Sequence, residues 1–543
     1  MGNQKFNRMA KVHERHRLKQ PRKVALNNGM PEIVVHRHNT VYTRLSCEPA
    51  IAREIQEYFT FEVPNARFTP AFRNRHWDGK IRMFQPRNGL LYVGLLDYLA
   101  QFCEERKYHL AVDHKLINPV EPCTREDCVS KIIKGLNLSA RGEAIEPHEH
   151  QIDAIHHALN TNRCLLLSPT ASGKSLIIYV LARTYSTLLN MMDADAGTEP
   201  RRTLIVVPSI SLVTQLFNDF KDYSANDTLG WNVNDFVHKV FGGEEKDDPS
   251  KQIVITTWQS IYKMPKEYFD QFGAVIGDEA HLFKAASLTS IMTKLTNCPY
   301  RIALTGTLDG TQTHKLAIEG LFGPVKQVTT TKDLMEKKLL SNLEIDCILL
   351  TYPDEISKTV AGLPYQEEID WIVSCDGRNS LISKLACSTK GNTLVLFQFV
   401  EKHGKPLFEK IKTDAGDTRK VFYVSGETDG EVREDIRQIT EEEDNAIIVA
   451  SYGTFSTGIN IRSLRNIIFA SPSKSRIRVL QSIGRQLRKS ERKDKARLYD
   501  IADDLHWKSK KNHTLKHFIE RVKIYNEESF EYKMVKIPIK EVL

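Results

Sequence analysis

Three places in this 543-residue chain combine residue types at spacings that could handle phosphate. In CLLLSPTASGKSLIIYVLA an apolar run is followed by a loop of small residues and then by a helix-length apolar segment. Only small side chains let backbone amides close around phosphate oxygens, and the start of a helix adds partial positive charge. From Thr170, the amides of Ala171, Ser172, Gly173, Lys174 and Ser175 can wrap one phosphate. The Lys174 ammonium can bridge to the next, and the Ser175 hydroxyl can coordinate Mg2+. The general form of such a loop has Gly where this chain has Ser168. Downstream, FGAVIGDEAH is an apolar strand ending in two carboxylates. Asp278 can hold a metal-bound water and Glu279 can accept a proton, and in a parallel sheet both emerge at the carboxyl edge, beside the phosphate loop. The third place is QSIGRQLR, Gln481–Arg488. Arg485 and Arg488, three residues apart, share one face of a helix. Delivered from a second domain, they would stabilise charge on a transferring phosphoryl group and make its hydrolysis conditional on domain closure.

The elements that must position these groups follow from the apolar rhythm. LIVVP, QIVITT, FGAVIGDE, TLVLFQF, KVFYV, AIIVA and NIIFA alternate with helix-length segments. That alternation predicts parallel sheets. It falls in two blocks, 141–330 and 340–505, with a polar linker at Thr329–Asn342. The expected fold class is therefore α/β, with two parallel-sheet domains in tandem. A small α+β domain over 31–135 precedes them, with an alternating segment at Ile33–Val41, a helix near Ile51–Phe59 and strand-like pieces through Phe84 and Leu96. A short mixed extension over 506–543 follows, opened by Lys508, Lys510, Lys511 and Lys516. A chain this long exceeds one core and divides into several domains.

The composition, 41% hydrophobic and 27% charged, excludes wholesale disorder and fibrous classes. No apolar run is long enough for a membrane span and no apolar core follows the basic N-terminus, so a cytoplasmic location is expected. The nine cysteines are scattered, and the near pair Cys123 and Cys128 lacks the spacing of a zinc site, so reduced thiols are expected. Of the net charge of +8, residues 1–23 carry eight Lys or Arg against one Glu. This head over 1–30 reads either as an arm for phosphates or as a solubilising tail. In the small domain, Arg67, Arg73, Arg75, Lys80 and Arg82 interleave with Phe68, Phe72, His76 and Trp77. Cations for phosphates beside rings that can stack on bases suit nucleic acid. The alternative is an aromatic core with a hairpin closed at WDGK.

The ordered set of boxes resembles the superfamily two helicases, whose phosphate loop precedes an acidic DEAH box. The resemblance implies RecA-like domains, ATP and Mg2+. It implies that Gln151 in EPHEHQIDAI reads the adenine edge. Gln215 in VPSISLVTQ and Thr257 in TTWQS would contact nucleic acid, and Thr305–Thr307 would couple hydrolysis to movement. In ASYGTFSTGIN, Ala450–Asn460, Thr454 would touch nucleic acid and Gly458 the nucleotide. Gln481, Arg485 and Arg488 would reach across the cleft. The chain is more closely similar to the UvsW-like helicases of tailed phages. RFTPAFRNRHWDGKIR, PTASGKS, TYPDE, PYQEEI, VSGETD and SYGTFSTGI carry that likeness, which stops short of the head before Pro31. It implies a monomeric DNA motor acting on branched DNA, namely stalled forks and four-way junctions, and on RNA–DNA hybrid loops. Alternatives are an RNA helicase, the motor of a restriction system, or a nucleic-acid sensor that uses ATP as a switch without moving. No nuclease pattern follows the motor, which weakens the second.

Overall fold

The computed structural model describes residues 31–63, 66–112, 126–228, 230–242, 245–283, 286–308, 312–458, 461, 463–473, 475–487 and 495–539. The basic head, Cys123, Asn460 and Arg488 lie outside the described residues.

The N-terminal domain is built on a five-stranded sheet whose spatial order is β5-β6-β2-β1-β7. In chain order these are β1 (Ile33–Arg37), β2 (Tyr42–Cys47), β5 (Phe84–Gln85), β6 (Leu90–Tyr92) and β7 (Leu110–Val112), while β3 (Thr60–Glu62) and β4 (Lys80–Arg82) form a separate ribbon. Alternation in β1 turns Ile33 and Val35 inward. The strand stops at Arg37 rather than Val41, because the Asn39 carboxamide accepts from the backbone N–H of Val41 and Tyr42, both at 2.8 Å, and folds the chain back. Helix α1 (Pro49–Tyr58) opens on a proline and buries Ile51 and Ile55. Short helix α2 (Pro70–Arg73) leads into the ribbon. Leu96, expected in a strand, begins helix α3 (Leu96–Arg106), whose Leu99, Phe102 and Cys103 recur at helical spacing and are buried.

Helix α4 (Glu126–Leu136) and the small ribbon of β8 (Ser139–Ala140) and β9 (Glu143–Ala144) precede α5 (Glu149–Thr161), and Val129 and Leu136 of α4 enter the first lobe's core. That lobe is a seven-stranded parallel sheet, β12-β13-β11-β14-β15-β10-β16, with β10 Arg163–Leu167, β11 Arg202–Val207, β12 Val237–Val240, β13 Ile253–Thr257, β14 Phe272–Gly277, β15 Tyr300–Thr305 and β16 Val325–Gln327. Helices α6 (Lys174–Asp195) and α7 (Ile210–Tyr223) cover one face. The second lobe repeats the plan as β19-β20-β18-β21-β22-β17-β23, with β17 Asn342–Thr351, β18 Asn392–Phe397, β19 Val421–Val424, β20 Ile447–Ser451, β21 Leu464–Phe469, β22 Lys495–Asp504 and β23 Tyr532–Pro538. Burial on both faces explains why β11, β13, β14, β18 and β20 read as unbroken apolar runs. Helices α8 (Tyr365–Ser374), α9 (Arg476–Gln486) and α10 (His513–Glu527) belong to this lobe, and the C-terminal extension ends in β23, which pairs in parallel with β17 at the sheet edge. Among the described residues no helix is long and apolar enough to cross a membrane.

The N-terminal domain is fastened to the first lobe. Thr40 donates through its backbone N–H to Thr296 O and through its hydroxyl to Leu295 O, and accepts Arg163 at its carbonyl at 2.7 Å. The Tyr98 hydroxyl donates to Glu319 at 2.8 Å, and Gly94 packs so closely that a Cβ would lie 1.9 Å from Glu319 O.

Candidate active site

The loop from β10 to α6 takes a shape that small residues permit. Ala171 and Gly173 have φ of 69° and 81°, and a Cβ on Gly173 would fall 2.1 Å from Gln151 Nε2. Ser168, at the position of the expected glycine, is buried and shares a 2.6 Å hydrogen bond with the Ser172 hydroxyl, which also reaches Pro169 O. The exception to the pattern is thus absorbed as an internal brace. Lys174 Nζ lies 3.4 Å from Ser168 O, and the Ser175 hydroxyl meets the Tyr223 hydroxyl at 2.8 Å.

Gln151 is buried beneath the loop. Its carbonyl accepts from His148 N at 2.8 Å and its Nε2 donates to Ser172 O at 3.1 Å, so its amide is spent on capping α5 and bracing the loop. His150, which the sequence reading passed over, points a ring nitrogen at the same Ser172 carbonyl, 3.0 Å away.

At the end of β14, Glu279 sits at φ 50°, a left-handed conformation uncommon outside glycine, and its N–H donates to Asp278 Oδ1 at 2.9 Å. The Lys174 charge acts on both carboxyls and favours their ionised forms. Burial, then the neighbouring Glu279 charge, push Asp278 above the usual carboxylate range. Burial opposes ionisation of Glu279 as well, but His281 beside it and the charges of Lys174 and Arg485 overcome it and hold that carboxyl low. His281 Nδ1 lies 3.3 Å from Glu279 Oε2 and 3.1 Å from the Thr305 hydroxyl, which donates to Thr307 O. One buried imidazole therefore ties the acidic box to the TGT box, a link that no local pattern announces.

From the second lobe, α9 is capped by Ser475, whose hydroxyl accepts from Arg478 N, and pinned by Gln486 Nε2 donating to Arg465 O and Arg497 O, each at 2.8 Å. Its Gly484 presses on the phosphate loop, where a Cβ would lie 2.4 Å from Thr170 Cβ. Arg485 packs over Phe455 with 5.6 Å between guanidinium and ring centre, and Gln481, a turn earlier, is half-buried. Gly458 ends the helix Tyr452–Gly458, where Thr454 bonds the Ser451 hydroxyl at 2.8 Å. A cavity of about 400 Å3 lies between the lobes, lined by Pro169, Thr170, Thr307, Arg476, Gly484 and Glu528.

The residues proposed for nucleic acid separate into three places. Thr257, buried, bonds Ser260 and lines a groove on the first lobe with Ser209, Ile210, Phe241 and Lys246, while Gln215 is exposed on α7. Thr454 lines a groove on the second lobe with Gln398, Arg433, Ser451, Tyr452 and Arg478. Arg73, Arg75 and Lys80 are exposed around α2 and the β3–β4 ribbon, away from the cleft, with Arg75 at φ 57°. Trp77 is half-buried, its indole N–H donating to Lys80 O at 2.8 Å. Phe68 is 57% exposed and Phe72 38%, and none of the three rings joins the domain's core cluster, so the alternative of an aromatic core does not hold there.

Two RecA-like lobes with a phosphate loop on one and an arginine-bearing helix reaching it from the other define a nucleoside-triphosphate-driven helicase of superfamily two. Models of three families match along the chain: the res subunit of type III restriction enzymes over residues 144–310, the N-terminal domain of the DNA helicase UvsW over 32–113, and the helicase conserved C-terminal domain over 377–490. The ATP-dependent DNA helicase uvsW of Enterobacteria phage T4 is 38% identical over 519 residues, covering 93% of this chain and 99% of that protein. A putative helicase of a Sulfolobus islandicus filamentous virus is 22% identical over 351 residues, 62% of this chain and 60% of its own. The crystal structure of T4 UvsW matches with 35% identity, 94% and 100% coverage and a TM-score of 0.48. A fragment of a putative HsdR subunit of a type I restriction enzyme from Vibrio vulnificus shares the fold at 15% identity and TM-score 0.53, covering 86% of this chain and 77% of the fragment. The chain belongs to the UvsW family of ATP-dependent DNA helicases.

Proposed function

We propose that this protein couples ATP hydrolysis in the interlobe cleft to remodelling of branched DNA, including stalled forks, four-way junctions and RNA–DNA hybrid loops. The observation that carries the reading is the contact of Gly484 with Thr170, which brings the Arg485 helix onto the phosphate loop and builds one site from two lobes. Backbone amides of Ala171–Ser175 cradle the phosphates and Lys174 neutralises them. Glu279, kept ionised by His281 and Lys174, takes the proton of the attacking water. Arg485 and Arg488 stabilise the charge on the transferring phosphoryl group, and Gln481 positions it. Gly458 approaches the nucleotide from the second lobe.

Among the described residues no cluster of three or more His, Cys, Asp or Glu could hold a metal by itself. The oxygen donors Ser175 and Asp278 suit Mg2+ arriving with the nucleotide, and a cation there would favour the charged form of a carboxyl that burial otherwise pushes up. Bound Mg2+ would screen the phosphate charge. The groove holding Thr257, with the exposed Gln215 on α7, and the groove holding Thr454 carry one strand, while Arg73, Arg75, Trp77 and Lys80 engage the branch.

The test is displacement of a labelled strand from a model fork, with ATP and Mg2+, beside single-strand and four-way-junction substrates. Wild type displaces strands and migrates junctions, and Lys174→Ala binds the fork but does neither. ATP hydrolysis without displacement on any substrate would make the protein a sensor and overturn the proposal.

A further inference from the structure

The turn between β22 and α10 has a composition that the cleft does not use. From Leu505 to His517 the chain reads LHWKSKKNHTLKH, with four lysines, three histidines and no acid. Lys508, Lys510, Lys511 and Lys516 are exposed, and no ion pair engages any of them among the described residues. The acids that flank the segment in sequence are already taken: Asp504 pairs with His506 at 2.6 Å and Glu520 with Lys523 at 2.7 Å. Solvated lysines on a loose loop would need no explanation. These are not on a loose loop.

The turn is held from below by a buried polar network. Asn512, 1% exposed, accepts from Leu505 N at 3.1 Å and donates to Asp503 O and to Glu368 of α8. Glu368, fully buried, also receives His513 N, Thr514 N and the Thr514 hydroxyl at 2.8, 2.7 and 2.9 Å. A buried carboxylate is costly unless its acceptor sites are filled, and here four donors fill them. Above it, Trp507 and Lys510 exchange two backbone hydrogen bonds of 3.0 Å, with Lys508 at φ 53° between them. Tyr365, 39% exposed, stands edge-on to His513 and His517 at 5.8 and 5.3 Å. The lysines thus project from a scaffold fixed before any ligand arrives, which lowers the entropy lost on binding.

Its placement matters equally. All strands of the second sheet that carry the groove at Gln398, Ser451 and Thr454 run parallel to β22, so the turn stands on the same carboxyl-edge rim. In the strand order β18-β21-β22 it lies two strands from Gln398, roughly 10 Å at the usual strand spacing. We propose that the Trp507–Lys511 turn is a further nucleic-acid contact, in which Lys508, Lys510 and Lys511 clamp the phosphodiester backbone beyond the second-lobe groove. This rests on the DNA-motor reading.

The experiment is equilibrium binding without ATP, over a salt series, of a fork with duplex arms and of a single strand, by full-length wild type, K508A/K510A/K511A and K508R/K510R/K511R. Each phosphate contact contributes about 0.9 to the slope of log affinity against log salt on duplex and about 0.7 on a single strand. The alanine variant should therefore lose between two and three units of slope on whichever form the turn grips, about 2.7 on duplex or about 2.1 on single strand for three contacts, and the arginine variant should keep it. Its DNA-free ATPase rate and melting temperature should match wild type. A folded alanine variant with unchanged slope on both ligands would overturn the proposal, as would an arginine variant that fails like the alanine one. If wild type failed to displace strands, the motor reading would fall while the slopes still reported on the turn.

Discussion

Replacing Gly484 by alanine tests whether the two half-sites must touch. The added Cβ would lie 2.4 Å from Thr170 Cβ and 3.1 and 3.2 Å from its Oγ1 and Cγ2, whereas ordinary contact begins at 3.4 Å. Reaching ordinary contact then requires the helix and the loop to part by about 1 Å. A displacement of that size at a catalytic group costs about 10²-fold in rate, or about 2.7 kcal/mol of transition-state stabilisation. Folding runs the other way, because alanine inside a helix is favoured over glycine by about 0.8–1.0 kcal/mol. DNA-stimulated ATP hydrolysis by G484A should therefore show kcat down by about two orders of magnitude with KM for ATP little changed, in a protein that melts no lower than wild type. Removing the other Cβ relieves the clash, so G484A combined with Thr170→Gly should turn over faster than G484A alone. The single variant keeping kcat within a few-fold of wild type would refute the reasoning, and so would a double variant slower than both singles.

Lys174→Ala should lose roughly 10²-fold or more in turnover while folding and DNA binding persist, since it removes a phosphate contact and no core; turnover and melting measured together check it. Glu279→Gln should bind a fluorescent ATP analogue normally and hydrolyse very slowly, and Arg485→Ala should lower kcat more than it raises KM. Replacing Arg73 and Arg75 by alanine should flatten the salt dependence of fork binding by about one unit per lost contact, with smaller effect on single strands. His403 is fully buried, its ring between the Ser471 hydroxyl at 2.9 Å and Asn379 Oδ1 at 3.2 Å, and burial, then the Arg378 charge, pull its pKa down to about 3. The unfolded chain takes up the proton near pH 6.5 and the folded one does not, so this group's stability is complete above about 6.5 and falls on acidification, by about 2 kcal/mol at pH 5. Urea melts of His403→Gln should show a shallower loss between pH 7 and 5 than wild type.

How much of this was legible in the sequence depends on whether a feature is local. The inner strands declared themselves because both faces are buried, and β14 and β20 contain no position that faces water. Strand β23 did not: most of Tyr532–Pro538 is exposed, with lysines among its apolar residues, and it is a strand because β17 supplies its hydrogen bonds. The end of β1 depended on one asparagine side chain, and the helix at Leu96 on an inward stripe easily mistaken for a strand's apolar run. The same distinction runs through the site. Asp278 and Glu279 could be named because they follow β14 directly, and Lys174 because the small-residue loop after β10 ends on it at the start of α6, so that local sequence and the sheet decide where each emerges. That Gln151 braces the loop, that His281 joins Glu279 to Thr305, and that residue 484 must be glycine for the sake of residue 170 are facts about segments brought together by packing. The glycine is the sharpest case. Within its own helix it is a weak choice, and only the surface it meets on the other lobe makes it the fitting one.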